Sequence, residues 1–227
     1  MGNRKLPPAQ MSESVRIGAL LAIIGGFFDA YSYLCRGGVF ANAQTGNIVL
    51  LGVRLAENKW LEAGKYFLPV FAFALGVFIA EYLKLIFKEY QRKIHWRQVI
   101  VLFEVILVAV VAFLPQKHNM IANILISFIC ALQVETFRKV RGSAFATTMC
   151  TGNLRSATEQ LAKCFMQKDK EAFYKARRYA TIILYFIIGA VCGVFGVEYF
   201  AEKAVIACCL VLIVVFVMMF YESTQDL

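Results

Sequence analysis

Six apolar runs punctuate the chain, at roughly 17–35, 66–87, 98–115, 120–137, 179–199 and 203–221. Their length exceeds what a soluble core needs. A helix of about 20 mostly apolar residues crosses the roughly 30 Å of bilayer hydrocarbon, so each run is long enough to read as a span. The breaks between them are polar or helix-disfavouring. Arg36-Gly37-Gly38 ends the first, and Lys88 to Arg97 forms a basic turn with Trp96 at its edge. Pro115 to Asn119 makes a tight turn, Arg138 to Arg178 is a long polar stretch, and Glu198 to Lys203 joins the last two runs. The pattern predicts an all-α fold, a polytopic membrane helical bundle of about six spans, with residues 1–227 forming a single membrane domain.

Composition agrees, since 60% of residues are hydrophobic and the excess is gathered into the runs. The net charge of +9 would suggest nucleic acid in a soluble protein. Here the basic residues flank the spans and report orientation instead. With the N-terminus inside, Lys and Arg favour the inner segments by roughly three to one, which places both termini in the cytoplasm. The first run continues into Asp29 and an aromatic stretch without a small-residue cleavage site, so it reads as a retained span rather than a removed signal peptide. Met1-Gly2 is followed by Leu6 where a myristoylation start wants Ser or Thr. Seven cysteines, mostly inside apolar runs, do not form a disulfide framework, and His95 and His118 make no cluster of metal-ligand spacing. No metal or cofactor is expected, and no nucleic-acid partner. Membrane lipid is the expected surrounding, with a homo-oligomer as a possible assembly.

The halves resemble each other. In the first, Asp29 is followed by Arg36-Gly37, Phe40-Ala41 and Thr45-Gly46-Asn47; in the second, Glu135 is followed by Arg141-Gly142, Phe145-Ala146 and Thr151-Gly152-Asn153. Arg-Gly and Phe-Ala align at one offset and Thr-Gly-Asn one residue further on, while pairing the two acids requires a compensating gap. Repeat one covers about 17–115 and repeat two about 120–221. Each holds three spans, so the second copy is flipped relative to the first. Span parity and charge bias therefore agree on two inverted three-helix repeats, an architecture common among secondary transporters.

The motif loops read as broken or re-entrant. Val39 to Gln44 is apolar or amide-bearing, and Ile48 to Ala56 reads as a helix of about half a bilayer. Its N-terminus would place backbone N–H groups near the midplane, irregular backbone that survives only when packed in protein or lining a wet cavity. The second copy is more polar, with Arg155, Glu159 and Lys163 after the triplet. A rival count makes both motif segments full spans, giving eight spans and parallel repeats, but it puts the basic 84–97 turn outside.

The stretch Gly25-Gly26-Phe27-Phe28-Asp29-Ala30-Tyr31-Ser32-Tyr33-Leu34, with Arg36 to Asn47 after it, resembles the signature of the bacterial YoaK family of membrane proteins, also called the domain of unknown function 1275 family. The resemblance runs along essentially the whole chain. It implies a bacterial cytoplasmic-membrane protein and brings no substrate, mechanism or catalytic residue.

Asp29 is a carboxylate inside a span, costly unless paired or hydrated. It reads as a cation or proton site, as a partner of Arg36 or Arg141, or as an acid bonding the backbone of its own loop. Asn42, Gln44, Thr45, Gly46 and Asn47, with Thr151, Gly152 and Asn153 of the second copy, read as a site for a small polar solute or, alternatively, as groups that satisfy the broken backbone. Thr147 and Thr148 are comparable groups. Glu104 lies two turns into the third run and reads as a partner for a basic residue or as a proton relay. Glu135 reads as a surface pair with Arg138 or Lys139, Glu81–Lys84 as a helical pair, Tyr31 and Tyr33 as an aromatic belt. Gly189, Gly193 and Gly196 form a small surface for close helix packing. No nucleophile–base pair sits in the spans, so no enzyme is expected. The best reading is a channel or secondary transporter of a small molecule or ion; the alternative is a non-catalytic membrane scaffold or regulatory subunit.

Overall fold

The computed structural model describes residues 15–87, 96–137, 139–140, 143–144 and 150–223. The apolar runs become helices α1 (Val15–Cys35), α3 (Trp60–Phe87), α4 (Trp96–Ala112), α5 (Asn119–Thr136), α7 (Lys170–Phe200) and α8 (Ile206–Ser223). The motif segments add α2 (Gln44–Ala56) and α6 (Cys150–Gln167). Between α5 and α6 the two-residue strands β1 (Lys139–Val140) and β2 (Ser143–Ala144) pair antiparallel. Four segments are long and apolar enough to cross a membrane: Arg16–Cys35, Trp60–Ile86, Gln116–Thr136, and Lys170–Met219, which contains α7 and α8.

Helices α1, α4, α5 and α8 share one apolar core, including Leu21, Phe28, Val108, Ile126 and Leu212. Around it α7 lies along α1 and α3 along α5, while α2 packs on α3, α6 on α7, and α4 on α8. Glycines permit the two long contacts. A Cβ at Gly26 would fall on the Phe186 carbonyl oxygen of α7, and one at Gly189 on the Ile23 carbonyl of α1. A Cβ at Gly193 would come 3.0 Å from the Phe27 carbonyl, so the expected small surface is the α1 contact. Between α3 and α5, a Cβ at Gly76 would meet the Phe128 carbonyl oxygen at 2.9 Å. The outward faces are apolar: Phe67, Phe71 and Phe78 of α3 and Ile187, Val191 and Phe195 of α7 are exposed, as on a lipid-facing surface.

Helix α3 starts six residues before its apolar run, and two other boundaries differ from expectation in ways that bear on the site. Helix α7 starts nine residues before its apolar run, because Asp169 Oδ1 accepts from the Glu171 N–H at 2.8 Å and caps a polar first turn. Helix α2 starts at Gln44, so Thr45-Gly46-Asn47 lies inside the helix rather than capping it from outside. Its N-cap residue, Ala43, provides no side-chain bond.

Candidate functional site

The site grows from the end of α1. Gly37 (φ 91°) and Gly38 (φ 76°) take left-handed backbone conformations, and the Gly38 N–H donates to the Tyr33 carbonyl at 3.0 Å. This six-to-one bond closes the helix C-terminus and turns the chain back, which is why the motif carries two glycines. The chain then runs non-helically from Val39 to Ala43 against the last turns of α1.

Every backbone N–H from Phe40 to Ala43 finds a side-chain acceptor. Asn47 Oδ1 takes that of Phe40 at 3.0 Å, and Ser32 Oγ takes that of Ala41 at 3.0 Å. Asp29 Oδ1 takes both that of Asn42 at 2.7 Å and that of Ala43 at 3.2 Å. Asn47 also donates to the Phe40 carbonyl at 2.6 Å and to Gln44 Oε1 at 2.9 Å, and Gln44 Nε2 donates to the Ala41 carbonyl at 2.8 Å. Each unmade bond in an apolar interior would cost roughly a few kcal/mol, so these side chains are what allow a non-helical segment against α1. Gly46 belongs to the same unit, since a Cβ would come 2.9 Å from the Phe40 ring.

This arrangement sharpens the reading of Asp29. Of the alternatives, the bonds to its own loop are observed and an ion pair with Arg36 is not, while Arg141 lies outside the described residues. It also lies at the start of α2, where the helix dipole favours an anion. The positive end of α2, expected to be free for a solute, is therefore occupied by the chain's own carboxylate.

Arg36 is fully buried. Its guanidinium donates to the Val111 carbonyl at 3.0 Å and the Leu114 carbonyl at 2.8 Å, closing the end of α4, and to Asn119 Oδ1 at 3.2 Å on α5. Asn123 Nδ2 returns a bond to the Arg36 carbonyl at 2.8 Å. Tyr31 is buried beside it, not in an interfacial belt as expected. Tyr33 is half exposed and stacks on Phe40, with ring centroids 4.9 Å apart.

The second motif reaches the same region. Cys150, the first residue of α6, lies within electrostatic reach of Asp29. Asn153 is buried, whereas Thr151, Gly152 and, in the first motif, Thr45 are exposed. Arg141, Thr147 and Thr148 lie outside the described residues. Asn42 is buried over Asp29.

Two further acids depart from expectation. Glu135 is buried, and its Oε1 lies 3.5 Å from Lys84 Nζ on α3, which also contacts Glu81 Oε2 at 2.7 Å. It makes a bundle-facing pair between α3 and α5, while the expected partner Arg138 lies outside the described residues. Glu104 is fully buried, and among the described residues no basic group pairs with it. The expected base is replaced by the Gln133 amide of α5, which faces the carboxyl outside hydrogen-bonding geometry. Cys130 on α5 is within electrostatic reach of both Asp29 and Glu104. A separate cavity of about 350 Å³ between α3, α4 and α5 is lined by Ile79, Leu83, Phe103 and Phe128, and offers a polar solute nothing to bind.

Among these residues the sequence reading passed over Ser32, Cys130 and Gln133. Ser32 stood within the motif and carried a signal. Gln133 and Cys130 carried only their polarity in an apolar run.

The model of the family described as protein of unknown function, DUF1275, matches residues 17–218. The chain belongs to the DUF1275 family. It is similar to the Bacillus subtilis (strain 168) protein named UPF0700 transmembrane protein YoaK, at 29% identity over 182 residues, 76% of this chain and 79% of the relative. No solved structure matches the chain. With four segments fit to cross a bilayer, this DUF1275 member is a multi-pass membrane protein.

Proposed function

We propose that this DUF1275 protein is a channel or secondary transporter of a small polar solute or ion, built as two inverted three-helix repeats. Six helices span the membrane, and the 13-residue α2 and the polar α6 begin inside the protein. The observation that carries the reading is the approach of the α6 start, at Cys150, to Asp29, which holds the α2 start. Inverted-repeat transporters form a central site between broken elements of opposite halves, and the electrostatic reach of Asp29 to the α6 start supports such a site here.

The packing supports it. Exchanging α1 with α5, α2 with α6, α3 with α7 and α4 with α8 turns every main contact into another that is present: α1–α7 becomes α5–α3, α2–α3 becomes α6–α7, and α4–α8 maps on itself. Gly76 against Phe128 and Gly189 against Ile23 are then equivalent contacts. At 13 residues, about 20 Å, α2 is too short to cross, which favours six spans over eight. The solute would meet Asn42, Gln44 and Thr45 of the first motif and Thr151 and Asn153 of the second. The protein is read as non-catalytic, in a bacterial cytoplasmic membrane with both termini inside.

The scaffold reading has one observation on its side, the complete internal bonding of Asp29 and Asn47. Uptake of a panel of small polar solutes and ions into proteoliposomes separates the two. Flux of one solute, reduced in Thr45→Val, is expected; no flux by a folded protein speaks for the scaffold. Single cysteines at Thr45 and Thr151, on a background without the native cysteines, should label from opposite sides. Labelling of both from one side overturns the inverted arrangement.

A further inference from the structure

Glu104 is used by nothing described so far. It stands on α4 in the core of the bundle with no accessible surface, and neither carboxyl oxygen has a hydrogen-bond partner. Opposite it on α5 is Gln133, equally inaccessible, with its Oε1 and Nε2 both unpartnered. Two polar side chains that face each other, each unsatisfied, are expensive in an apolar bundle and call for an occupant or a use.

The charged surroundings exclude a structural ion pair. From α5 the nearest titratable group is the Cys130 thiol, and from α8 it is Cys208, close to Cys130, with Cys209 beside it bonded at 3.8 Å to the Val105 carbonyl of α4. Asp29 of α1 is also within electrostatic reach of Cys130. On α4 itself the nearest charge in sequence is Arg97, about two turns away. From α3, Lys84 is engaged with Glu81 and Glu135. Glu202 and Lys203 lie in the turn that packs on α4 from α8. A carboxylate so placed gains nothing from its neighbours, and an ionised acid without a partner in a dry interior neutralises itself. A protonated carboxyl, in contrast, is both donor and acceptor, and a primary amide is its complement.

We propose that Glu104 is a proton-carrying site: a neutral carboxylic acid set against Gln133, at the contact of the two halves, that takes up a proton from one side and releases it to the other as the protein works. The step is uptake of one proton by the carboxylate and its later loss, with no other bond made or broken. This rests on the transport reading for its role in a cycle, and names the proton as the coupling ion. The acid itself is testable independently of flux.

The test is infrared spectroscopy of the full chain in liposomes of neutral lipid, comparing the native protein with Glu104→Gln, Asp29→Asn and Gln133→Leu. At neutral pH the native protein should show a carboxylic-acid C=O band that shifts in heavy water, because a working site exchanges its proton with solvent. Glu104→Gln should abolish the band and Asp29→Asn should retain it. Gln133→Leu, which leaves Glu104 in place, should move its frequency, and this variant decides the matter if Glu104→Gln fails to fold. The proposal is overturned by the absence of the band in the native protein, by its survival in Glu104→Gln, or by its failure to respond to heavy water. It is also overturned if sodium or potassium ions convert the acid to a carboxylate, which would make the site one for a metal cation. A band that behaves as expected in a protein without solute flux upholds the proton site and counts against transport alone.

Discussion

Arg36 Nε donates to the Tyr31 hydroxyl at 2.9 Å, and both side chains are wholly buried. The hydroxyl donates onward to the Glu202 carbonyl at 2.8 Å in the turn before α8. Through this pair the end of α1 reaches α4, α5 and α8. The guanidinium meets only neutral acceptors, helped by the negative end of the α4 dipole and by the Tyr31 ring, 5.4 Å from its Cζ.

Replacing Arg36 should therefore be far worse than replacing Tyr31. Lysine keeps the charge but cannot span Tyr31, Val111 and Leu114 at once, so Arg36→Lys should cost about 3 kcal/mol or more. Tyr31→Phe removes one hydroxyl and leaves the fork in place, costing about 1 kcal/mol. Thermal unfolding in detergent checks the order; equal losses would show that the fork geometry does not matter.

Asp29 and Asn47 should be separable by chemistry. Asp29→Asn keeps an oxygen acceptor for the Asn42 and Ala43 N–H groups but loses its charge, so a loss of about 1 kcal/mol is expected. Asn47→Asp keeps the acceptor for the Phe40 N–H but sets a carboxylate against the Phe40 carbonyl, and should cost more, about 2–3 kcal/mol. Hydrogen exchange at Phe40 to Ala43 reads both directly. Faster exchange in Asn47→Asp than in Asp29→Asn is the expected result.

How much of this was legible depended on what a residue bonds to. The apolar runs gave six helices because hydrocarbon length and charged turns fix where they begin and end. The Arg-Gly-Gly break was legible for the same kind of reason, since left-handed backbone demands glycine. That Asp29 bonds its own loop was among the readings, but which N–H groups it, Ser32 and Asn47 take, and which carbonyls Arg36 reaches, were not, because backbone groups are carried by every residue and no pattern marks them. Glu135 stands in the sequence beside Arg138 and Lys139, and its contact with Lys84 of α3 became visible only with the helices packed. The likeness of the two motifs was legible, but the close approach of a facing helix at both Gly76 and Gly189 became visible only with the helices packed.

The turn between α2 and α3 carries a pH dependence. Lys59 and Arg54 hydrogen-bond the exposed Glu57 carboxyl, at 3.0 and 2.8 Å, and hold it below the usual carboxylate range. A depressed value means the ionised form favours the folded turn. The contribution is present above the unfolded value and is lost as pH falls through the lower folded one. Amide protection at Asn58 and Lys59, whose N–H groups bond Leu55 and Arg54 carbonyls, should thus decline at acid pH, only modestly because the pair is exposed. Glu57→Gln should flatten that decline, and an unchanged profile would assign it to another group.

Glycine-to-alanine substitutions should split by sign. At Gly26 and Gly189 the new methyl group would occupy the space of a carbonyl oxygen on the facing helix, so α1 and α7 must move apart. Overpacking of this kind costs about 1–3 kcal/mol, and the loss falls on the contact that joins the two halves. Gly52, inside α2, has nothing within 4 Å of the same methyl. There alanine only improves helix propensity, a gain of up to about 1 kcal/mol. The three variants carry the same chemical change and differ only in what the methyl meets. Unfolding in one detergent should rank Gly52→Ala at or above the native protein and the other two well below it. If Gly189→Ala proved neutral, the close approach of α1 and α7 would be wrong, and with it the contact that makes Gly189 the counterpart of Gly76.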